Sequence, residues 1–556
     1  MTTENAPKTF QEYRVEAARD FAHTMIVVDD EAWNPNLSAT PKPGLRAPKR
    51  GTPVAAPNPQ EKSRIRHYLD ADALVASAMN LGLVCSIIRP PKTKSIRTQV
   101  NEAARRADIV CLDWEIHNDS GDAATSMIVE IIRSDDLRNG RLRLIAIYTG
   151  DTSNNVILDK VFDAIPEPYR NKYDVEKDGV RIESKHGLRI VCLFKAHGVQ
   201  LSGTRRDRQL REENLPERLV QEFANLAGGL LSNVALATIA SIRNSTHHVL
   251  AKMTPAMDGP YFHHRAIVAA APDAEEYGVD IVLSDLKSAV DKTDVAQRFA
   301  GPNAITARIQ EIAGDSATLG LHHERSGALE KYEVKVQDAV NLVVEGNQVA
   351  HRAISTANPP AAKVFRKEIS SLFATDRAKA RTAMLEFALL TGIRAHPGSY
   401  LYKKGKKVAQ LGLGTVVVTQ DKKYLLCLQA SCDSVRLTVE TPFLFMPLVI
   451  TEDAPEVVVP IMSGKGKVAC IGLSPPSTAY AQTRSISFVP DTTLRTVSAG
   501  RVRGKRGTFF QSADGERFEW IADLKQRRAL RVAQKLGQSL GRLGFDEFEP
   551  FRQKDD

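Results

Sequence analysis

The sequence predicts a multidomain chain. An N-terminal α/β domain with a doubly wound, five-stranded parallel sheet is followed by a helical middle region and a C-terminal β-rich, barrel-like module with a terminal amphipathic helix. Three observations predict this. The chain has 556 residues, about three to five domains at roughly 100–200 residues each. In the first 200 residues, apolar strands alternate with helix-length segments, the pattern of a parallel sheet covered on both faces. Beyond residue 400, short strands separated by turn signals replace that alternation.

The first domain is expected over 1–210. Residues 1–21 read as a helical lead-in, and HTMIVVDD (23–30) as the first strand, ending in two acids. Seven prolines in 33–60 (35, 41, 43, 48, 53, 57 and 59) mark a loop. Helical spacing resumes over 62–81 through Tyr68, Leu69, Leu74, Val75 and Met79. Then follow a strand at 82–90, a helix end at 101–107, a strand at 107–116, a helix at 123–135, a strand at 141–151, a helix at 153–164 and a fifth strand at 189–198. Between the last two, 166–188 is an insertion with hairpin character, because DGVRIES alternates polar and apolar before HG breaks it.

The middle region, 211–400, is expected to be helical and to serve in transmission and dimerisation. Its first helix starts at Pro216 with an apolar stripe of Leu219, Phe223, Leu226, Leu230, Val234 and Ile242. This predicts one long helix to about Met253, long enough to leave the first domain and meet a partner. The last region, 401–556, reads as strands at 414–429, 434–440, 456–462, 467–473, 485–490 and 507–522, then an amphipathic basic helix at 522–545.

Composition narrows the class. Hydrophobic residues are 43% and charged residues 25%, ordinary for a globular protein. The longest apolar runs (MIVV, FLFMPLVI) fall far short of the roughly 20 residues of a membrane span. The first 20 residues hold four acids and no apolar run, so no secretory signal is expected. Six cysteines form no CxxC pair, which suits a reducing cytoplasm rather than a disulfide scaffold. The net charge is +9, and residues 401–556 hold 24 Lys and Arg against 16 Asp and Glu, so nearly all the excess lies there. An anionic partner is expected at that end.

The chemistry-bearing residues fall at strand ends. Asp29 and Asp30 end the first strand, Asp113 the third, Thr149 the fourth and Lys195 the fifth. In open α/β sheets the site lies outside the carboxyl ends of the strands, so these five groups are expected to converge. Three carboxylates suit Mg²⁺, a hard cation that prefers oxygen ligands. A carboxylate can also act as a nucleophile toward a phosphoryl group. Asp113 would carry that step, with Thr149 donating its hydroxyl to one phosphoryl oxygen and Lys195 pairing with another.

VVDD at 27–30, CLDWEI at 111–116, IYTG at 147–150 and LFK at 193–195 stand in the order of the receiver domain of two-component response regulators. Residues 22–200 resemble that flavodoxin-like family. The DW pair and the following NDSGDAA resemble the larger response receiver domains of prokaryotic conflict, or anti-phage, systems. The resemblance implies a phosphorylation-regulated signalling protein with phosphoacceptor Asp113. Mg²⁺ would be held by Asp29, Asp30, Asp113 and the backbone carbonyl of Glu115, with Thr149 and Lys195 sensing the phosphate. It also implies a histidine-kinase-like or Hsp90-like ATPase partner. Three departures bear on switching: the domain is long, Ala196 follows the lysine where the family usually has proline, and Cys192 stands where it has a switch aromatic. An aromatic relay would then fall to Tyr148 or Phe194.

Other features are weaker. The His pairs 247–248, 263–264 and 322–323 point about 100° apart on a helix and make poor metal pairs. Cys432-Asp433 reads as a turn, with a nucleophile paired to His396 as the minor reading. The basic clusters Lys403, Lys404, Lys406, Lys407 and Arg501, Arg503, Lys505, Arg506 flank the β region. With Phe509, Phe510, Phe518 and Trp520 as stacking platforms, they make a nucleic-acid-binding effector or adaptor the alternative function, its receiver-like domain a non-phosphorylated scaffold. The tail GFDEFEPFR (544–552) is expected to dock on the chain's own core.

Overall fold

The computed structural model describes residues 7–32, 68–90, 96–138, 140–184, 187–196, 200–267, 271–325, 328–346, 368–399, 402, 407–451, 455–462, 468–502 and 507–540. The proline-rich segment 33–60 and the tail 544–552 lie outside them. The chain divides into two compact units, Met1–Thr318 with Lys335–Ile354, and Leu319–Val334 with Ser355–Asp556.

The first unit is built on α1 (Phe10–Phe21), β1 (Thr24–Val28), α2 (Ala71–Asn80), β2 (Val84–Ile88), α3 (Ile96–Ala104), β3 (Ile109–Leu112), α4 (Asp122–Leu137), β4 (Arg143–Thr149), α5 (Asn154–Ala164), α6 (Glu167–Tyr173), β5 (Val175–Lys177), β6 (Arg181–Ser184), β7 (Leu188–Lys195) and β8 (Gln209–Leu210). Strands β2-β1-β3-β4-β7 run parallel in that order. The sheet has eight strands rather than the five predicted. The insertion supplies an antiparallel hairpin, β5–β6, on the β7 edge, and β8 pairs parallel with the end of β7.

Two-sided burial explains the apolar strands. Met25, Val27, Ile109, Cys111, Leu144, Ala146, Val191 and Leu193 pack into one layer. Their alternate neighbours Ile26, Val28, Val110, Leu112, Ile145, Ile147, Ile190 and Cys192 pack into the other. Helices on both faces close these layers.

The predicted long helix is two: α7 (Leu215–Leu226) and α8 (Leu230–Lys252). The break falls at Ala227-Gly228-Gly229, where two glycines of low helix propensity stand together. Its stripe does not leave the domain either. Leu219 and Phe223 are fully buried in the layer shared with α1, and Leu226, Leu230 and Val234 pack against it. The unit continues through α9 (Asp258–Ile267), α10 (Ala271–Asp291), α11 (Val295–Ala300) and α12 (Pro302–Ala313).

The middle region is not wholly helical. It carries a two-stranded hairpin, β9 (Thr318–Arg325) and β10 (Ala328–Lys335), before α13 (Val336–Glu345). The second unit then holds α14 (Arg377–Gly392), β11 (Ile393–Ala395), β12 (Thr415–Val418), β13 (Tyr424–Cys427), β14 (Thr441–Ile450), β15 (Val457–Met462), β16 (Val468–Ser474), β17 (Arg484–Phe488), β18 (Phe509–Gln511), β19 (Arg517–Leu524) and α15 (Gln526–Leu540). Strands β17-β14-β13-β12-β19-β18 pair antiparallel in turn. The Ala513 N–H then donates to Ser487 O, bringing the chain after β18 to β17. The result is a nearly closed barrel. Phe443, Phe445, Phe488, Phe510, Phe518 and Trp520 fill it. On the opposite face of these strands Ala529, Val532 and Leu536 of α15 pack on Val416, Leu426 and Met446. The predicted strand at 434–440 is instead a 3-10 turn, Ser431–Ser434, and loop.

Candidate receiver site

The parallel order reverses direction around β1, with β2 on one side and β3 on the other. That switch point opens a crevice at the strands' carboxyl ends. Asp29 and Asp30 follow β1 there, and Asp113 follows β3. Their carboxylate oxygens lie within 4.8 Å of one another, the one cluster of potential metal ligands among the described residues. Asp29 and Asp113 are buried, and Asp30 is partly exposed.

Lys195, at the end of β7, reaches across to this cluster. Its Nζ lies 2.7 Å from Asp29 Oδ2 and 3.5 Å from Asp113 Oδ1. Burial works against the Lys195 charge, but Asp113 and Asp29 more than offset it, and its pKa is raised. Burial also raises the Asp113 pKa, with Asp29 and Asp30 pushing the same way and Lys195 opposing. Thr149 is fully buried at the end of β4, and its Oγ1 accepts the Asp151 N–H at 3.0 Å.

Neither Asp113 oxygen, nor Asp30 Oδ1, has a hydrogen-bond partner although all three are buried. Buried carboxylate oxygens are costly to leave unsatisfied. Three such oxygens converging among carboxylates fit a hard divalent cation, and Asp29, Asp30 and Asp113 would hold it. The Glu115 carbonyl accepts the Asn118 N–H at 3.3 Å, and the Glu115 side chain is half-buried, which raises its pKa.

The loop after β3 contains groups that strand-end reasoning missed. His117 donates its backbone N–H to Asp30 Oδ2, and its Nδ1 lies 3.0 Å from the same oxygen. His117, Asn118 and Ser120 all take positive φ, at 57°, 58° and 56°. Gly121 follows at φ 86°, and a Cβ there would meet the Trp114 ring at 2.1 Å. Trp114 is buried under this turn, and Lys160 Nζ lies 5.7 Å from its ring while bonding Ser120 O and Asp122.

On the other side of Lys195, the Tyr148 ring lies 5.7 Å from Nζ, and its hydroxyl donates to Leu210 O. Burial first, then the neighbouring Glu212 carboxyl, raises the Tyr148 pKa. Ala196 donates its N–H to Leu210 O at 2.9 Å, a bond that proline at this position could not make. Phe194 is buried in the opposite layer, so Tyr148 is the aromatic beside the lysine. Glu212 gave no signal in sequence, because an acid just before a helix ordinarily reads as an exposed first-turn charge.

Other expectations fare differently. Lys403, Lys404, Lys406, Arg503, Lys505 and Arg506 lie outside the described residues. Lys407 and Arg501 are exposed. They stand on adjoining segments, two residues beyond the Ala499 N–H to Ala409 O bond. Phe510, Phe518 and Trp520 fill the barrel and are withdrawn from stacking on bases. Cys432 is exposed and donates to Asp433 Oδ1, while His396 Nδ1 accepts the Gly398 N–H. No described helix is long and apolar enough to cross a membrane.

A parallel sheet in this order, with an acid trio at its switch point faced by a lysine, and a threonine buried at the end of β4, defines a receiver-type signalling domain. Residues 21–200 match the family model of the response receiver domain, and that segment is a response receiver domain. No curated protein and no solved structure was found to match the chain.

Proposed function

We propose that this protein is a phosphorylation-regulated response receiver that accepts a phosphoryl group on Asp113. The donor is a phosphohistidine on a histidine-kinase-like or Hsp90-like ATPase partner. The resemblance of DW and NDSGDAA to conflict-system receivers supports a place in a prokaryotic defence pathway. The observation that carries the reading is the buried Asp113 carboxylate, clustered with Asp29 and Asp30 and ion-paired with Lys195.

An Asp113 oxygen forms the new bond to phosphorus as the donor's P–N bond breaks, and the electron pair and a proton go to the leaving imidazole. Asp29, Asp30 and Asp113, with the Glu115 carbonyl, would hold Mg²⁺, which would supply charge neutralisation for the carboxylates and the incoming phosphoryl group. Lys195 then exchanges its ion pairs with Asp29 and Asp113 for a phosphoryl oxygen, and the Thr149 hydroxyl donates to another. Asp30 and His117, which meet each other, are partly exposed, so the donor approaches from that side.

Incubation with a small acyl phosphate and Mg²⁺ should add one phosphoryl group, absent from Asp113→Asn and from reactions with chelator. No addition from the acyl phosphate or from a phosphorylated kinase partner would leave the non-phosphorylated scaffold.

A further inference from the structure

The turn after β3 aims two donors at one atom. Trp114 and Ile116 are buried in the apolar layer beside it and anchor the chain between β3 and α4. His117 follows in a 3-10 turn, Ile116–Asn118. Its backbone N–H donates to Asp30 Oδ2 at 3.0 Å, and its ring Nδ1 lies 3.0 Å from the same oxygen. A carboxylate oxygen only accepts, so the hydrogen-bond network assigns the ring hydrogen to Nδ1. His117 stands at φ 57°, a left-handed conformation that a residue with a Cβ keeps only where its surroundings hold it.

The consequence falls on Asp30. A carboxylate oxygen offers about two lone-pair sites, and the two donors of His117 occupy those of Oδ2. Oδ1, buried and without a hydrogen-bond partner, is the oxygen left for a cation. Asp29 is restrained in the same way. Its Oδ1 accepts the Glu31 N–H at 2.8 Å, and its Oδ2 pairs with Lys195 Nζ at 2.7 Å. Neither acid is free to wrap a cation with both oxygens.

We propose that His117 is a positioning residue that sets the cation preference of the acid cluster: it ties up Asp30 Oδ2, leaves Asp30 a one-oxygen ligand, and so favours Mg²⁺ over Ca²⁺. This role rests on the acid trio holding a divalent cation, as the receiver reading requires. The two ions differ in what they ask of a carboxylate. Mg²⁺ takes single oxygens at about 2.0–2.1 Å, demands near-octahedral geometry and keeps several waters. Ca²⁺ takes roughly six to eight oxygens at about 2.3–2.6 Å and readily accepts both oxygens of one carboxylate. A donor pair fixed on Asp30 Oδ2 suits the first ion and deprives the second. Removing the ring returns a lone pair to Oδ2 and lets Asp30 turn both oxygens toward a larger ion. Partners that orient a metal ligand in this way commonly govern affinity about 10–100-fold.

The test is titration calorimetry of the full chain with Mg²⁺ and with Ca²⁺, on wild type, His117→Gly and His117→Asn, each checked by circular dichroism. Glycine removes the ring, keeps the backbone N–H and adopts φ 57° without strain. Asparagine tolerates the same φ and carries a side-chain N–H donor at the position of Nδ1. Wild type should bind Mg²⁺ more tightly than Ca²⁺. His117→Gly should lower that preference about tenfold or more, and His117→Asn should keep it. A turn that is merely loosened would weaken both cations together and leave their ratio unchanged, and that result would overturn the proposal. So would an equal fall in the glycine and asparagine variants. Wild type that binds neither cation would overturn the metal-binding reading itself. Wild type that prefers Mg²⁺ by a ratio indifferent to residue 117 would overturn the role of His117 alone.

Discussion

Asp113 carries a pH dependence that its burial creates. Its folded pKa is raised, chiefly by burial. The folded protein therefore keeps a proton over a range in which the unfolded chain has lost it. Stability from this group is fullest in acid and is lost as pH rises from about 4 through the raised value. In metal-free protein, Asp113→Asn should abolish that slope and stabilise the fold at mildly alkaline pH by about 1 kcal/mol or more, read by urea unfolding. A wild type whose stability is flat across that range would refute the assignment. Gly121 makes a second residue-scale prediction. With φ at 86° and the Trp114 ring in the place of its Cβ, Gly121→Ala should cost roughly 2 kcal/mol or more. It should also weaken Mg²⁺ binding, since the same turn delivers His117 to Asp30. Normal stability and affinity would show that the turn yields freely. The convergence of Asp29, Asp30, Asp113 and Lys195 was legible in sequence because each falls at the end of a parallel strand. His117 and Glu212 were not, because an irregular turn and a short crossover bring them in, and neither has a periodicity to read.

Helix α7 is fixed to the sheet by a buried ion network. Arg189 of β7 donates from Nε and Nη2 to Glu222 Oε2 at 2.9 and 2.6 Å, and Arg218 Nε donates to Oε1. Removing one partner leaves a buried charge uncompensated, so Glu222→Ala should cost about 3–5 kcal/mol, seen as a fall in Tm. Arg189 Nη1 also pairs with Glu183, and a loss under about 1 kcal/mol would show that this pair alone satisfies Arg189. At this scale the parallel strands were readable because each is apolar on both faces and bounded by turns. Three elements were not. The α7–α8 stripe keeps helical spacing through Gly228 and Gly229, so periodicity alone ran across the break. TLGLHHER and ALEKYEVK pair as β9 and β10, but they have too few apolar residues to announce a hairpin. Conversely, SVRLTVE alternates like a strand, yet it follows a 3-10 turn with its Leu437 N–H bonded to Arg495 O in a loop.

For the whole molecule, the response receiver is one part of a longer chain whose second unit is a filled barrel. The charge excess of 401–556 was legible in composition. The fate of its aromatics was not, because Phe510, Phe518 and Trp520 look alike in sequence whether they fill a core or face a strand of nucleic acid. The central claim concerns the first unit and is a statement about one atom pair: the bond that forms is between an Asp113 oxygen and phosphorus. Borohydride reduces an acyl phosphate to an alcohol and so converts a phosphorylated aspartate to homoserine. After treatment of the phosphorylated full chain, peptide mass mapping should find homoserine at position 113 and nowhere else. Homoserine at Asp29 or Asp30, or phosphate carried on a residue that borohydride does not reduce, would contradict the account.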